Sequence, residues 1–106
     1  MPKFMFEVQY TREGLQGVLA KGGSARVKAA TAAAESAGGT VEAFFFAFGH
    51  NDVYVVADFP DNASAAALAL TVGAGGGATV RTVALLTPEE VDQASRASVK
   101  YQPPGS

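Results

Sequence analysis

The sequence predicts an α+β fold of the ferredoxin-like type, with a four-stranded antiparallel sheet, helices on one face and a further C-terminal helix. Three observations support this prediction. Four segments show the alternating apolar pattern, rich in β-branched and aromatic residues, that is typical of strands. Two alanine-rich stretches between them have helical composition and are bounded by capping residues and glycines. The segments follow one another as two β-α-β halves with a helix after them.

The first half of the chain begins with a strand over Lys3–Tyr10, in which apolar and polar residues alternate. Thr11 can cap a short helical turn that closes at Gly22-Gly23. Ser24 can cap a longer helix over Ala25–Ala37. Alanine dominates that helix, and its small side chains would let the helix lie close to a sheet.

Two strands joined by a tight polar turn form the middle of the chain. The second strand is expected over Thr40–Phe48 and the third over Val53–Phe59. Their link, Gly49-His50-Asn51-Asp52, contains residue types that tolerate positive φ or accept backbone hydrogen bonds. The segment is therefore expected to be a hairpin.

The remaining elements follow from capping signals. Asp61 or Asn62 can cap a helix over Ala63–Val72, and Gly73–Gly77 is expected to be a loop leading to a fourth strand. The fourth strand is expected over Ala78–Leu86. Thr87-Pro88-Glu89-Glu90 then has the pattern of a capping box, which predicts a final helix to about Ser98. Residues 1–98 are thus interpreted as one domain, and 99–106 as a tail that is exposed or lies on a neighbouring subunit.

Composition excludes several classes of protein. The 106 residues suit a single domain with one core. The net charge is −2 and the basic residues are scattered, which argues against a nucleic-acid partner. The chain has no cysteine, so it has neither a disulfide nor a thiolate metal ligand nor a cysteine nucleophile.

No membrane association is expected either. Glu7 interrupts the apolar N-terminal segment too early for a signal peptide. The uncharged stretch Ala63–Val80 approaches the length of a membrane span, but it consists mostly of alanine, glycine and threonine. The sequence therefore predicts a cytoplasmic protein.

Alternation along the strands assigns residues to the two faces of the sheet. Helix-facing positions are expected to be Phe4, Phe6, Val8, Ala43, Phe45, Ala47, Val53, Val55 and Ala57. The open face is expected to hold Glu7, Gln9, Glu42, Phe44, Phe46, Phe48, Tyr54, Asp58 and Arg81. An apolar wall with a few polar groups suits a small-molecule pocket, for which the candidates are Phe44, Phe46, Phe48, Tyr54 and Arg81. The same aromatics would suit a subunit interface, and a register shift of one residue would exchange the faces.

The run from Phe48 to Asp61 resembles the signature segment of the GYD domain family. That pattern is a glycine, a spacer, a tyrosine and an aspartate, followed by an apolar strand and a Pro-Asp turn. Gly49 and Asp52 match it, and Asn51 stands where the tyrosine would be. Further similarity lies in Val80-Arg81-Thr82-Val83 and Leu86-Thr87-Pro88-Glu89-Glu90, within a resemblance that covers Lys3 to about Ala94. The resemblance implies a dimeric α+β barrel, in which two open sheet faces pack around a shared cavity, and it implies no settled activity.

No residue pattern fixes a catalytic group, although three residues are candidates. His50, the only histidine, is either a general base or an exposed turn residue. Asp52 is either an acid or a turn former. Glu7 is expected to meet Glu42, Asp58 and Arg81 on the open face, where the carboxylates either transfer protons or pair with Arg81. A single histidine without cysteine is a weak metal signal, so neither a metal nor a cofactor is expected.

These observations leave three functional hypotheses. The leading one is a homodimer or higher homo-oligomer that binds a small apolar or aromatic molecule between the sheets. A cofactor-free monooxygenase or isomerase is an alternative, argued from the fold alone, with His50 as the first proton-transfer candidate. The third is a structural assembly protein whose own side chains fill the cavity.

Overall fold

The computed structural model describes residues 1–105 of the chain. A four-stranded antiparallel sheet has the strand order β2-β3-β1-β4, which is the ferredoxin-like arrangement that the sequence predicts. The elements along the chain are β1 (Lys3–Tyr10), α1 (Arg12–Lys21), α2 (Gly23–Ser36), β2 (Thr40–Phe46), β3 (Val53–Asp58), α3 (Asn62–Ala74), β4 (Ala78–Leu85) and α4 (Pro88–Ser95). The predicted fold class is confirmed.

The core lies between the sheet and the helices. Alternate residues of β1 and β3 are buried on this side, as their strand pattern predicts. Phe59, just after β3, is completely buried and packs edge-to-face on Phe4 and Phe6, with ring centroids 6.2 and 5.8 Å away. Gly39 is required beside it, because a Cβ there would lie 2.5 Å from Phe59 Cε1.

Three of the predicted helix caps are confirmed. The side chain of Thr11 accepts a hydrogen bond from the Gly14 amide, and Asp61 accepts one from the Ser64 amide. Thr87 forms the capping box with Glu90. The predicted cap at Ser24 is wrong, because α2 already begins at Gly23 and Gly22, with a φ of +84°, makes the sharp turn from α1.

Several element ends differ from the sequence prediction. Strands β2, β3 and β4 each end one or two residues earlier than expected, and α3 extends through Gly73 to Ala74. Helix α4 ends at Ser95 rather than near Ser98, and all its residues are exposed. Residues 99–105 of the predicted tail are exposed too, whereas Ser106 lies outside the described residues.

Across residues 1–105, none of the helices has both the length and the apolar character needed to cross a membrane.

Candidate functional site

The faces of β2 differ from the sequence prediction. Phe44 pairs with Val55 and Phe46 with Val53, and cross-strand partners point to the same side of a sheet. Both rings therefore lie on the helix side, and their expected placement on the open face is wrong. The cause is a register shift between Val41 and Ala43, which inserts Glu42 as an extra residue and reverses the alternation after it.

The aromatic residues of β2 consequently divide between the two sides of the sheet. Phe44 packs against the core and meets Phe46 edge-to-face, with ring centroids 5.4 Å apart. Phe46 covers the start of α2, where a Cβ on Gly23 would lie 3.0 Å from its ring. Phe45, expected on the helix side, instead pairs with Tyr54 on the open face and is 70% exposed.

The open face combines an apolar band with polar groups. Its members are Lys3, Met5, Glu7 and Gln9 of β1, Tyr54, Val56 and Asp58 of β3, Thr79, Arg81, Val83 and Leu85 of β4, and Ala43 and Phe45 of β2. All of them are half-buried or exposed. The predicted open-face positions of Glu7, Tyr54 and Arg81 are thus confirmed. Their role in binding stays a prediction.

A hydrogen-bonded cluster occupies the centre of this face. Glu7 lies in register between Tyr54 and Arg81. Asn51, only 6% exposed, reaches in from the β2–β3 turn and donates from Nδ2 to Glu7 Oε2 at 3.4 Å and to Tyr54 Oη at 3.2 Å. The residue at the position of the signature tyrosine therefore ties the turn to the open face.

The carboxylates expected near Arg81 gather elsewhere. Glu42 and Asp58 both bind the ammonium group of Lys3, and Asp58 Oδ1 lies 3.0 Å from Lys3 Nζ. Hydrogen bonds first to Glu42 and then to Asp58 raise the pKa of Lys3 above its ordinary value. The acidic groups at this end of the open face are therefore neutralised by a lysine, and the expected pairing with Arg81 is replaced by Lys3.

The β2–β3 turn holds the remaining candidates. Asp52 Oδ2 accepts a hydrogen bond from the Tyr10 amide, and the backbone of Asp52 bonds Val8 and Ala47. These bonds give Asp52 the role of a turn former. His50 is exposed, and its carbonyl oxygen accepts a hydrogen bond from Gln9 Nε2 at 2.6 Å. No cluster of three acidic or histidine side chains suited to a metal ion occurs within residues 1–105.

Phe48, at the start of the same turn, is fully exposed. It belongs to neither the helix-side core nor the band of paired residues on the open face. Of the three phenylalanines predicted to line one pocket, the structure therefore places Phe44 and Phe46 together and Phe48 apart from them.

A cavity of about 260 Å³ lies on the helix side, between the sheet and helices α2 and α3. Its sheet wall includes Phe6, Val8, Phe44, Val53 and Val80. Apart from Arg26, its α2 wall consists of alanines, whose methyl groups leave the space open that larger side chains would fill. The cavity exists because a helix rich in small residues faces a sheet rich in large ones.

Of the described residues that line this cavity, only Tyr10 and Arg26 carry polar side-chain atoms. Arg26 Nε is buried, and within the described part of the chain it has no hydrogen-bond partner. A buried donor left without a partner costs about 1–3 kcal/mol. Sequence reasoning missed Arg26, although the spacing of Arg26, Ala30, Ala33 and Ala34 places it on the alanine face of α2.

The relationship to known proteins agrees with this fold. The family model of the GYD domain matches residues 4–95, most of the chain, which therefore belongs to the GYD domain family. The membership expected from the segment Phe48–Asp61 is confirmed. No curated protein and no solved structure matches the chain.

Proposed function

We propose that this GYD domain protein is a homo-oligomeric module that binds a small apolar or aromatic molecule in the helix-side cavity. The observation that carries the proposal is the cavity itself, with about 260 Å³ lined mainly by aliphatic and aromatic side chains. An apolar cavity of about 150 Å³ accommodates benzene. The larger space here suits one ring with a short chain or two fused rings.

The proposal moves the ligand from the sheet–sheet interface to the helix side. The sequence places Phe44 and Phe46 at the interface, but the bulge at Glu42 turns both rings towards the helices. Phe44 then becomes part of the cavity wall. The apolar surface that motivates ligand binding is therefore found inside each protomer.

The cavity is partly open to the solvent, so the free protein exposes an apolar wall to water there. An apolar molecule that enters the cavity would remove this wall from water, which stabilises a complex by about 25 cal/mol per Å² of apolar surface buried. This gain supports a binding function.

The open face supports self-association. Phe45 is 70% exposed and Val83 38% exposed there, in a band with Met5 and Val56. Four strands about 4.8 Å apart and about 26 Å long present about 500 Å², whereas a standard interface buries about 800 Å² per partner. Helix α4 and residues 96–105, exposed beyond the sheet, supply further surface. Face-to-face pairing of two copies would bury the open face together with the surface of α4 and residues 96–105.

The assembly is tested by native mass spectrometry of Phe45→Glu. Its matched control is Leu70→Glu, because Leu70 is 74% exposed but lies on α3, on the helix side of the sheet. We expect an oligomer for the wild type and the control, and at least about tenfold weaker association for Phe45→Glu. A monomeric wild type, or equal effects of both variants, would refute the proposed interface.

The cavity is tested with 2-methoxynaphthalene, a neutral fluorescent probe, whose emission is free of tryptophan background because the chain has no tryptophan. Ala33→Leu fills the cavity, and Ala32→Leu is the matched control on the outer face of α2. We expect the wild type and Ala32→Leu to bind the probe, and Ala33→Leu to bind it at least about tenfold more weakly. Failure of the wild type to bind the probe would contradict the ligand-binding function.

A further inference from the structure

Arg26 lies where the helix-side cavity meets a neighbouring surface groove. Its side chain lines the cavity together with Tyr10, and it also lines the groove beside Glu13 and Lys21. The buried Nε has no hydrogen-bond partner within residues 1–105. The ion pairs found in that part of the chain join Lys3 to Glu42 and Asp58, and none involves Arg26. The guanidinium group is thus a permanent cation at the polar end of an apolar space.

We infer that the ligand of this cavity is a small organic acid, with an apolar body in the cavity and a carboxylate bound to Arg26. This inference rests on the proposed ligand-binding function and adds the charge of the ligand to it. A guanidinium group presents its N–H donors in a fixed fork that matches a carboxylate. The unpartnered Nε is one of those donors, and because it is buried, the Arg26 side chain must turn towards the cavity before a carboxylate oxygen satisfies it.

The surrounding charges favour a singly charged anion. Among residues 1–105, no acidic side chain lines the cavity, so a bound carboxylate meets no like charge there. Glu13 lines only the groove, where Lys21 is also present. The single positive charge of Arg26 matches a monocarboxylate, whereas a phosphate monoester carries about −1.5 to −2 at pH 7. The cavity is therefore suited to a monocarboxylate with a body of about one aromatic ring and a short chain.

The test compares two probes that share a body and differ in the head group, 3-phenylpropionate and 3-phenyl-1-propanol. Their affinities for the 106-residue chain are measured by titration calorimetry at about pH 7, where a carboxyl group is ionised. We expect the acid to bind at least about tenfold more tightly than the alcohol, because a hydrogen bond to a charged group favours it. Arg26→Met should remove that difference by weakening the binding of the acid.

Two further variants make the result specific. Lys28→Met removes an exposed cation from the same helix and should leave both affinities unchanged, because Lys28 does not line the cavity. Arg26→Lys retains the charge without the planar fork and should bind the acid with intermediate affinity. Circular dichroism establishes that each variant is folded before it is titrated.

The outcomes separate the two proposals. Equal affinity of the wild type for acid and alcohol would overturn the inference of an anionic ligand and leave the ligand-binding function intact. An acid preference that persists in Arg26→Met would likewise overturn the role of Arg26. Binding of neither probe would overturn the ligand-binding function and this inference together.

Discussion

Gly14, near the start of α1, lies close to Gly77 in the glycine loop before β4. Both glycines line the surface groove that Arg26 also lines. The Gly77 carbonyl oxygen accepts a hydrogen bond from the Thr11 amide at 3.0 Å, and a Cβ added to Gly14 would lie only 1.9 Å from that oxygen. Gly14→Ala must therefore displace the loop by more than about 1 Å, because Cβ contacts under 3.0 Å are essentially never seen. Overpacking costs about 1–3 kcal/mol and loss of the Thr11 bond about 1 kcal/mol.

Helix propensity acts in the opposite direction, since alanine is favoured over glycine inside a helix by about 1 kcal/mol. The expected net effect of Gly14→Ala is a loss of about 1–3 kcal/mol in the free energy of unfolding. Gly17→Ala is the matched control three residues along the same helix, because its added Cβ meets nothing within 4 Å. That variant should gain about 0.5–1 kcal/mol.

Urea unfolding followed by circular dichroism, at one protein concentration for all variants, measures both changes. The diagnostic result is opposite signs for two identical substitutions in one helix. Stabilisation by both substitutions would show that the glycine loop moves away without cost and that the contact between α1 and Gly77 does not stabilise the fold. Destabilisation by both would show that helix propensity does not govern α1.

Two further predictions concern Asn51 and Asp61. Asn51→Ala removes the hydrogen bonds to Glu7 and Tyr54 and should lower the free energy of unfolding by about 1–2 kcal/mol, as measured in urea titrations. An unchanged urea midpoint would contradict a structural role of Asn51. Hydrogen bonds from the Ser64 amide and hydroxyl lower the pKa of Asp61, so its contribution to stability is present above the ordinary carboxyl range and is lost as pH falls through the lowered value. Asp61→Asn retains a capping side chain but no ionisable group. Its urea midpoint should therefore fall less than that of the wild type between about pH 5 and about pH 3. Equal falls would contradict the contribution of the Asp61 carboxylate to stability.

Most of the fold could be predicted from signals within short stretches of the sequence. The caps at Thr11, Asp61 and Thr87 are set by residues within three positions of the helix start, so a sequence window contains all the information they need. Strands β1 and β3 alternate without interruption, and their buried face follows directly. Ser24 failed as a cap because Gly22, in a left-handed conformation, allowed α2 to begin one residue earlier.

The candidate site depended on features that no local pattern reveals. Glu7, Tyr54 and Arg81 were predictable, since they lie on uninterrupted strands. Their contact with Asn51 was not, because it depends on how the β2–β3 turn folds back over the sheet. Charge and helical spacing together would have drawn attention to Arg26, but its unpartnered Nε depends on the packing of α2 against the sheet.

The bulge at Glu42 connects the two surfaces in the proposed function. Without the extra residue, strand alternation would place Phe44 and Phe46 on the open face and Phe45 against the helices. With it, Phe44 forms part of the cavity wall, and Phe45 joins the exposed band of the open face. The side chain of Glu42 itself binds Lys3, the first residue of β1, so the bulged position is held by an ion pair across the sheet. One inserted residue therefore supplies an aromatic ring to the cavity that is proposed to bind a ligand, and another to the surface through which two copies are proposed to pair.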